Sequence, residues 1–256
     1  MVATPISKLF TKKSRVKEIV SSSGCLEGRD LSLDWEIPYE LFHCDIQPIH
    51  KLKTSDWKHL EKIKKSSSQL KLISFHIATC CDRPLLDKQG VFQAGGFVYD
   101  RNEMIDNATS NIDKIREFLG ADITIAVENN NFLESSAYQW VTDADFISEV
   151  VKEARISLLF DYAHALITSN RKRVAFSEYI SKLPLERTAQ VHISKCSLVN
   201  GKYVDSHDQL DTYDIDKIWE KIRDLPAKYF TIEYYKEVNG LIKMNHYLKQ
   251  LLSGNS

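Results

Sequence analysis

The chain has no C-x-x-C pair, and its five cysteines (Cys25, Cys44, Cys80, Cys81 and Cys196) are odd in number and scattered. That argues against a disulfide framework and for reduced thiols in a reducing compartment, so the expected location is the cytoplasm. The adjacent pair Cys80-Cys81 reads as two loop thiols, because zinc sites use wider cysteine spacings. No apolar run approaches the roughly 20 residues needed to cross a bilayer. The start, M-V-A-T-P-I-S-K-L-F-T-K-K, has no sustained apolar core and does not read as a signal peptide. A net charge of −1 gives no footprint for nucleic acid. No G-x-G-x-x-G or Walker pattern follows any strand, and lysines and arginines do not cluster at strand ends, so nucleotide or phosphate binding has no support. Internal repeats, low-complexity tracts and linkers are also missing. One domain over residues 1–256 is expected, with residues 1–12 loosely structured.

What is present is an alternation of short strands and amphipathic helices. Leu31 to Ile37 alternates apolar and polar residues up to Pro38, Ile46 to Leu52 reads as a second extended segment, and Leu70 to Ala78 is a stronger strand. Ile123 to Glu128, Ile156 to Asp161, Ala189 to Ile193 and Tyr229 to Tyr235 follow. Helical spacing marks Ser14 to Ser22, Ser55 to Lys65, Arg101 to Leu119, Asp143 to Ala154, Phe176 to Leu183, Tyr213 to Leu225 and Leu241 to Leu252. Such alternation predicts parallel β/α units, and the length suits a TIM (β/α)8-type barrel of about 250 residues. One of its eight strands is unaccounted for, and the N-terminus is where a degenerate first strand is expected.

In a β/α barrel the carboxyl ends of the strands face one basin. Those ends carry His50, His76, Glu128, Asp161, His192 and Glu233, with His164, Asp205 and His207 just beyond. Each alone is weak, since a strand-end histidine is more often a hydrogen-bonded structural residue. Together they resist a packing explanation, because charged residues are rarely buried without partners and clustered carboxylates repel unless cations neutralise them. One divalent ion takes about four to six protein ligands, so nine candidates imply two or three metals, with Glu128 or Asp161 bridging. The mixed nitrogen and oxygen set suits iron, manganese or zinc. His43, His59 and His246 are expected to be surface or packing residues. Phe132, Tyr138, Tyr162, Tyr234 and Tyr235 could wall a pocket, although aromatic residues near strand ends are more often core.

The blocks A-V-E-N-N-N-F (Ala126 to Phe132), L-L-F-D-Y-A-H-A (Leu158 to Ala165), L-P-L-x-x-x-x-Q-V-H-I-S (Leu183 to Ser194), V-D-S-H-D (Val204 to Asp208) and T-I-E-Y-Y (Thr231 to Tyr235) carry a resemblance. In order and spacing they resemble the multinuclear non-heme iron-dependent oxidative enzymes, the family of the methanobactin-biosynthesis oxidase. P-I-H-K-L around His50 and I-S-F-H-I-A around His76 look like that family's two early histidine strands. The resemblance covers roughly residues 30 to 250 and implies a xylose-isomerase-like TIM barrel. It further implies that Glu128, Asp161, His192 and Glu233 hold one iron, the first three forming the catalytic centre. His50 and His76 would hold a second iron with Glu128 bridging, and His164, Asp205 and His207 a third. Position 164 is often Asn in the family, and the family's acidic, proline-rich block after the second histidine is replaced here by Q-A-G-G-F-V-Y.

The activity so implied is iron- and dioxygen-dependent oxidation of cysteine residues in a ribosomal precursor peptide, starting at the cysteine β-carbon, with a leader-peptide-binding protein as partner. The competing expectation is a zinc- or manganese-dependent sugar isomerase, epimerase or phosphodiester hydrolase from the wider barrel superfamily. A binding module with a vestigial metal site is a third. The segment from Ser194 to Val204, with Asn200-Gly201 as its turn, is expected to tether two metal positions, with Cys196 a bystander.

Overall fold

The computed structural model describes residues 1–254. Eight parallel strands close into a barrel: β1 (Val2–Pro5), β2 (Cys25–Arg29), β3 (Leu41–Cys44), β4 (Leu72–His76), β5 (Thr124–Glu128), β6 (Ser157–Asp161), β7 (Thr188–Ile193) and β8 (Tyr229–Ile232). Each pairs with its successor, and β8 pairs with β1 through Val2↔Phe230 and Ala3↔Thr231. Around it run α1 (Val16–Ser22), α2 (Thr54–Ser66), α3 (Arg101–Leu119), α4 (Ala144–Glu153), α5 (Tyr162–Lys172), α6 (Phe176–Ser181), α7 (Thr212–Ile222) and α8 (Val238–Leu252). Two antiparallel hairpins, Leu85–Leu86 with Phe92–Gln93 and Cys196–Val199 with Lys202–Asp205, sit in the loops after β4 and β7.

Local chemistry accounts for the longest helix, α3. Asp100 and Glu103 form a reciprocal capping box at its start, with Glu103 N donating to Asp100 Oδ1 at 2.8 Å and Asp100 N to Glu103 Oε2 at 2.9 Å. Met104, Ile105, Ala108, Ile112, Ile115 and Leu119 form its buried stripe, and Gly120 at φ 111° ends it.

The N-terminal quarter differs from the sequence expectation. Residues 2–5 are a buried barrel strand rather than loose chain, so the missing strand is β1. Leu31 to Ile37 is not a strand: it opens with a turn of 3-10 helix over Asp30–Ser32 and passes through Glu36 at φ 54°. Its alternation buries Leu33 against the core without any ladder. Ile46 to Leu52 is a turn around Pro48, closed by His50 N donating to Gln47 O at 3.0 Å. The real strands, β2 and β3, each precede the segment expected to be one. Helix α5, following Asp161 directly, was not anticipated.

Inside the barrel, side chains lie in layers because alternate residues of each strand face inward. Ala3, Cys25, Leu41, Leu72 and Tyr229 form an apolar plug at the amino-terminal end. Above it the filling turns polar. Gln190 Nε2 donates to Glu27 Oε2 and, at 2.9 Å, to Thr231 Oγ1, while His43 Nδ1 lies 2.8 Å from Ser74 Oγ. The plug makes the barrel's lower end solid, so reactive groups are confined to the carboxyl-terminal mouth.

Candidate metal centre

Above this polar layer the strand ends bring imidazoles and carboxylates together. Glu128, at the end of β5, stands in the middle. Its Oε1 lies 3.1 Å from His192 Nδ1, and its Oε2 lies 3.1 Å from His76 Nδ1 and 3.5 Å from His43 Nε2. Register explains the first neighbours, since His76 pairs with Glu128 across β4 and β5, and Asp161 with His192 across β6 and β7.

Potential donor atoms lie within 4.8 Å of one another in a series of overlapping groups: His43, His76 and Glu128; Glu128, Asp161 and His164; Asp161, His192 and Glu233; Asp205, His207 and Glu233. His164 reaches the basin because Asp161 is both the last residue of β6 and the N-cap of α5, its Oδ1 accepting from His164 N at 2.7 Å. The hairpin after β7 turns at Asn200-Gly201, both at positive φ, and returns Asp205 to the site, where Ser194 Oγ donates to its Oδ1 at 2.8 Å. His207 follows at φ 43°, an uncommon backbone conformation for a non-glycine residue, with its Nε2 3.0 Å from Asp205 Oδ2.

Eight of the nine residues expected from sequence therefore meet here. The exception is His50. Its Nε2 is 2.7 Å from Thr79 O and its ring stacks on Tyr99, so it fixes the loop after β4 instead. The neighbour of His76 is His43, expected to be a packing residue. It is buried on β3 with ring centroids 4.3 Å from His76 and 5.1 Å from His192. His59 is also not idle: it hydrogen-bonds Asp30, apart from the basin. Sequence reasoning missed Glu27 and Arg29 as well. Glu27 Oε2 holds His192 Nε2 at 3.0 Å, and the Arg29 guanidinium contacts Glu27 and, at 2.6 Å, Glu233. Glu27 thus fixes the imidazole so that Nδ1 faces the basin, as carboxylates behind metal-binding histidines do. The signal lay in E-G-R at 27–29, two opposite charges around a glycine.

Electrostatics test whether these residues suit a metal. Asp161 Oδ2 is buried without a hydrogen-bond partner, and Glu128 Oε2 meets only the imidazoles of His76 and His43, at 3.1 and 3.5 Å. A buried carboxyl oxygen is costly unless a hydrogen bond, a proton or a cation meets it. Burial pushes Asp161 up to about 7 against the pull of His164. Burial also opposes charge on His76 and His207, but Asp45 and Glu128 hold the first at about 9, and Asp205 and Glu233 hold the second at about 9. His43, more deeply enclosed, is pushed down by burial to about 4. Protonated imidazoles and Arg29 thus balance the carboxylates, and entering cations would displace those protons. The donor set fits metal ions.

Cys80, Cys81 and Cys196 are not among the basin's donors. Cys80 and Cys81 are fully buried, and Cys80 Sγ donates to Ser136 O at 3.2 Å. Cys196 Sγ points to Ala163 O at 3.6 Å, and burial raises its pKa. Across helices of the described residues, none is long and apolar enough to cross a membrane.

Solved structures share the barrel. A D-tagatose 3-epimerase-like protein matches with a TM-score of 0.59 and 16% identity, covering 99% of this chain and 97% of that one. The 3-keto-D-glucoside 4-epimerase YcjR from E. coli matches at 0.55 and 11%, covering 98% of each chain. A xylose isomerase-like TIM barrel protein from Mycobacterium smegmatis, in complex with magnesium, matches at 0.53 and 14%, covering 98% of this chain and 80% of that one. At such identities the likeness is one of fold: this is a xylose-isomerase-like TIM barrel. Residues 49–240 match the family model of the RiPP precursor modification enzyme MbnB/TglH/ChrH. The stretch runs from Ile49, ahead of β4, to the start of α8 and includes every basin residue except Glu27, Arg29 and His43. The chain belongs to the MbnB/TglH/ChrH family of RiPP precursor modification enzymes.

Proposed function

We propose that this chain is a multinuclear non-heme iron oxidase that uses dioxygen to modify cysteine residues of a ribosomally made precursor peptide in the cytoplasm. One observation carries the reading: the carboxylates are shared. Glu128, Asp161 and Glu233 each belong to two neighbouring ligand groups, as bridging carboxylates between adjacent ions would. Nine donors in a continuous series exceed the four to six or so that one ion takes. His43, His76, Glu128, Asp161, His164, His192, Asp205, His207 and Glu233 would hold two or three irons. Glu128, Asp161 and His192 lie at the centre of the reaction.

Iron bound there would supply affinity for a substrate thiolate and the electrons to reduce dioxygen. The chain's own part is positional. Glu27 holds His192 in one tautomer, Arg29 screens Glu27 and Glu233 from each other, and the apolar plug keeps water from entering below. His76 and His207 are the more exposed imidazoles, with side-chain exposures of 25% and 30%, and mark the side from which a peptide enters. A leader-peptide-binding protein is the expected partner.

The test is anaerobic purification with iron reconstitution. At least two irons per chain and a new absorption band on adding a cysteine-containing peptide are expected. Less than one iron per chain with no such band would overturn the reading. The fold likeness to sugar epimerases favours a second reading, a zinc- or manganese-dependent isomerase or epimerase. It predicts tight binding of one of those ions, turnover of a ketose, and no oxygen consumption.

A further inference from the structure

One side of the basin is apolar. Between the end of β1, the turn after β2 and the residue following Tyr234 lies a cavity of about 540 Å3, lined by Ile6, Leu31, Trp35 and Tyr235 and bordered by Arg29 and His43. Its volume is that of a small-ligand site, roughly 300–1,000 Å3. The cavity's wall includes His43, which belongs to the basin, and Arg29, which pairs with Glu233 of the basin.

The polar groups along this border are already committed. The Arg29 guanidinium is taken by Glu27 and Glu233, and Tyr235 Oη donates to Glu233 Oε1 at 2.9 Å. His43 has Ser74 Oγ at Nδ1 and Glu128 at Nε2. What remains for an occupant is mostly hydrocarbon and ring surface, although Ser7, Lys8, Asp30 and Asp45 also contribute to the lining. A hydroxyl-rich ligand would recover few hydrogen bonds against that surface for the water it gives up, whereas an apolar group needs none. The rim is also preformed. Ser32 Oγ donates to Arg29 O and accepts from Arg29 N, both at 2.9 Å, fixing a turn that leaves Leu31 92% exposed. A leucine held in water by a rigid turn, beside a half-buried tryptophan, gains by being covered.

We propose that this cavity receives an apolar side chain of the substrate peptide, on the residue adjoining the one modified, and that Leu31 and Trp35 set that preference. This rests on the peptide-modifying reading above. Neighbouring residues lie about 3.8 Å apart between Cα atoms, so a chain with one residue in the basin can place the next side chain in a cavity that shares its wall.

The experiment has two arms. In the first, 5-fluorotryptophan is incorporated, the protein is loaded with diamagnetic zinc, and the Trp35 fluorine resonance is assigned by its loss in Trp35→Phe. Titration with N-acetylphenylalaninamide should move that resonance saturably and N-acetylserinamide should not. Leu31→Asp, at an exposed position, should weaken the first response roughly tenfold. No shift, or equal shifts from both amides, overturns the cavity assignment whatever the enzyme does to peptides. In the second arm, iron-loaded enzyme is given cysteine peptides with Phe, Leu, Ser or Asp beside the cysteine. Leu31→Asp should raise KM roughly tenfold for the Phe and Leu peptides only, at unchanged kcat and iron content. An equal loss across the panel overturns the proposal. Turnover of none of the peptides by the parent enzyme would instead count against the peptide-oxidase reading, which the fluorine arm does not depend on.

Discussion

Glu128 has more of the centre attached to it than any other side chain. Its two oxygens face imidazoles from β3, β4 and β7, and it belongs to two of the ligand groups. Glu128→Gln keeps the volume but removes the charge that these imidazoles answer. Metal content should fall in reconstituted protein, as measured by elemental analysis, while the far-ultraviolet circular dichroism stays that of the parent. His43 and His50 give a sharper comparison. His43→Ala should lower bound metal, whereas His50→Ala should leave it unchanged and only loosen the loop after β4, because His50 is held by Thr79 O and Tyr99. The opposite result would restore the sequence expectation. Glu27→Gln should keep the fold and weaken metal binding by roughly 10–100-fold, the usual effect of losing the carboxylate that orients a metal-binding histidine. At this scale the sequence was legible wherever a basin residue stands at the end of a well-formed strand, as with His76, Glu128, Asp161 and His192. It misled at His50 because P-I-H-K-L has the composition of a strand but not its backbone. Glu27 escaped notice because its value lies in what it holds, which only the closed barrel brings within reach.

Among the elements, β2 shows why the first quarter of the chain was hard to read. Its five residues, C-L-E-G-R, hold one glycine and two charges, a poor strand by propensity. The glycine is required by packing: a Cβ at Gly28 would stand 2.7 Å from Phe42 Cδ2 and 2.9 Å from Tyr39 Cδ1. Both charges are tolerated because they point into the basin and neutralise each other. Gly28→Val should therefore cost about 1–3 kcal/mol through overpacking. It should also reduce metal content, since a shift of β2 displaces Glu27 and Arg29; thermal denaturation and elemental analysis check both. From Leu70 to Leu252 the expected strands and most helices lie within a few residues of those found, because apolar runs and amphipathic periods are strong there. Helix α5 was missed because it starts with no loop after β6 and its first turn, Y-A-H-A, carries residues serving the site.

The whole molecule depends on closure. β1 hydrogen-bonds both β2 and β8, so the N-terminal residues complete the ring. Deleting residues 1–6 should leave two unpaired strand edges and abolish the cooperative near-ultraviolet transition. Metal acts on the same equilibrium. If ions bind only the folded chain, a free concentration of one hundred times Kd adds about 2.7 kcal/mol per site. Reconstituted protein should melt several degrees above chelator-treated protein in calorimetry, and Glu128→Gln should narrow that gap. A Tm indifferent to metal and chelator would mean the basin holds none.

The overlapping ligand groups also imply an order of assembly. Each shared carboxylate is oriented by whichever neighbour fills first, so ions would arrive in succession, each preparing the next position. Enclosure is greatest around His192 and least at His207, which would set the direction: the inner position would retain its ion longest, and the outer one would exchange with the medium. A preparation short of metal would then be a population of partly filled centres emptied from the mouth inward. Its spectroscopic heterogeneity would record loading history rather than more than one fold.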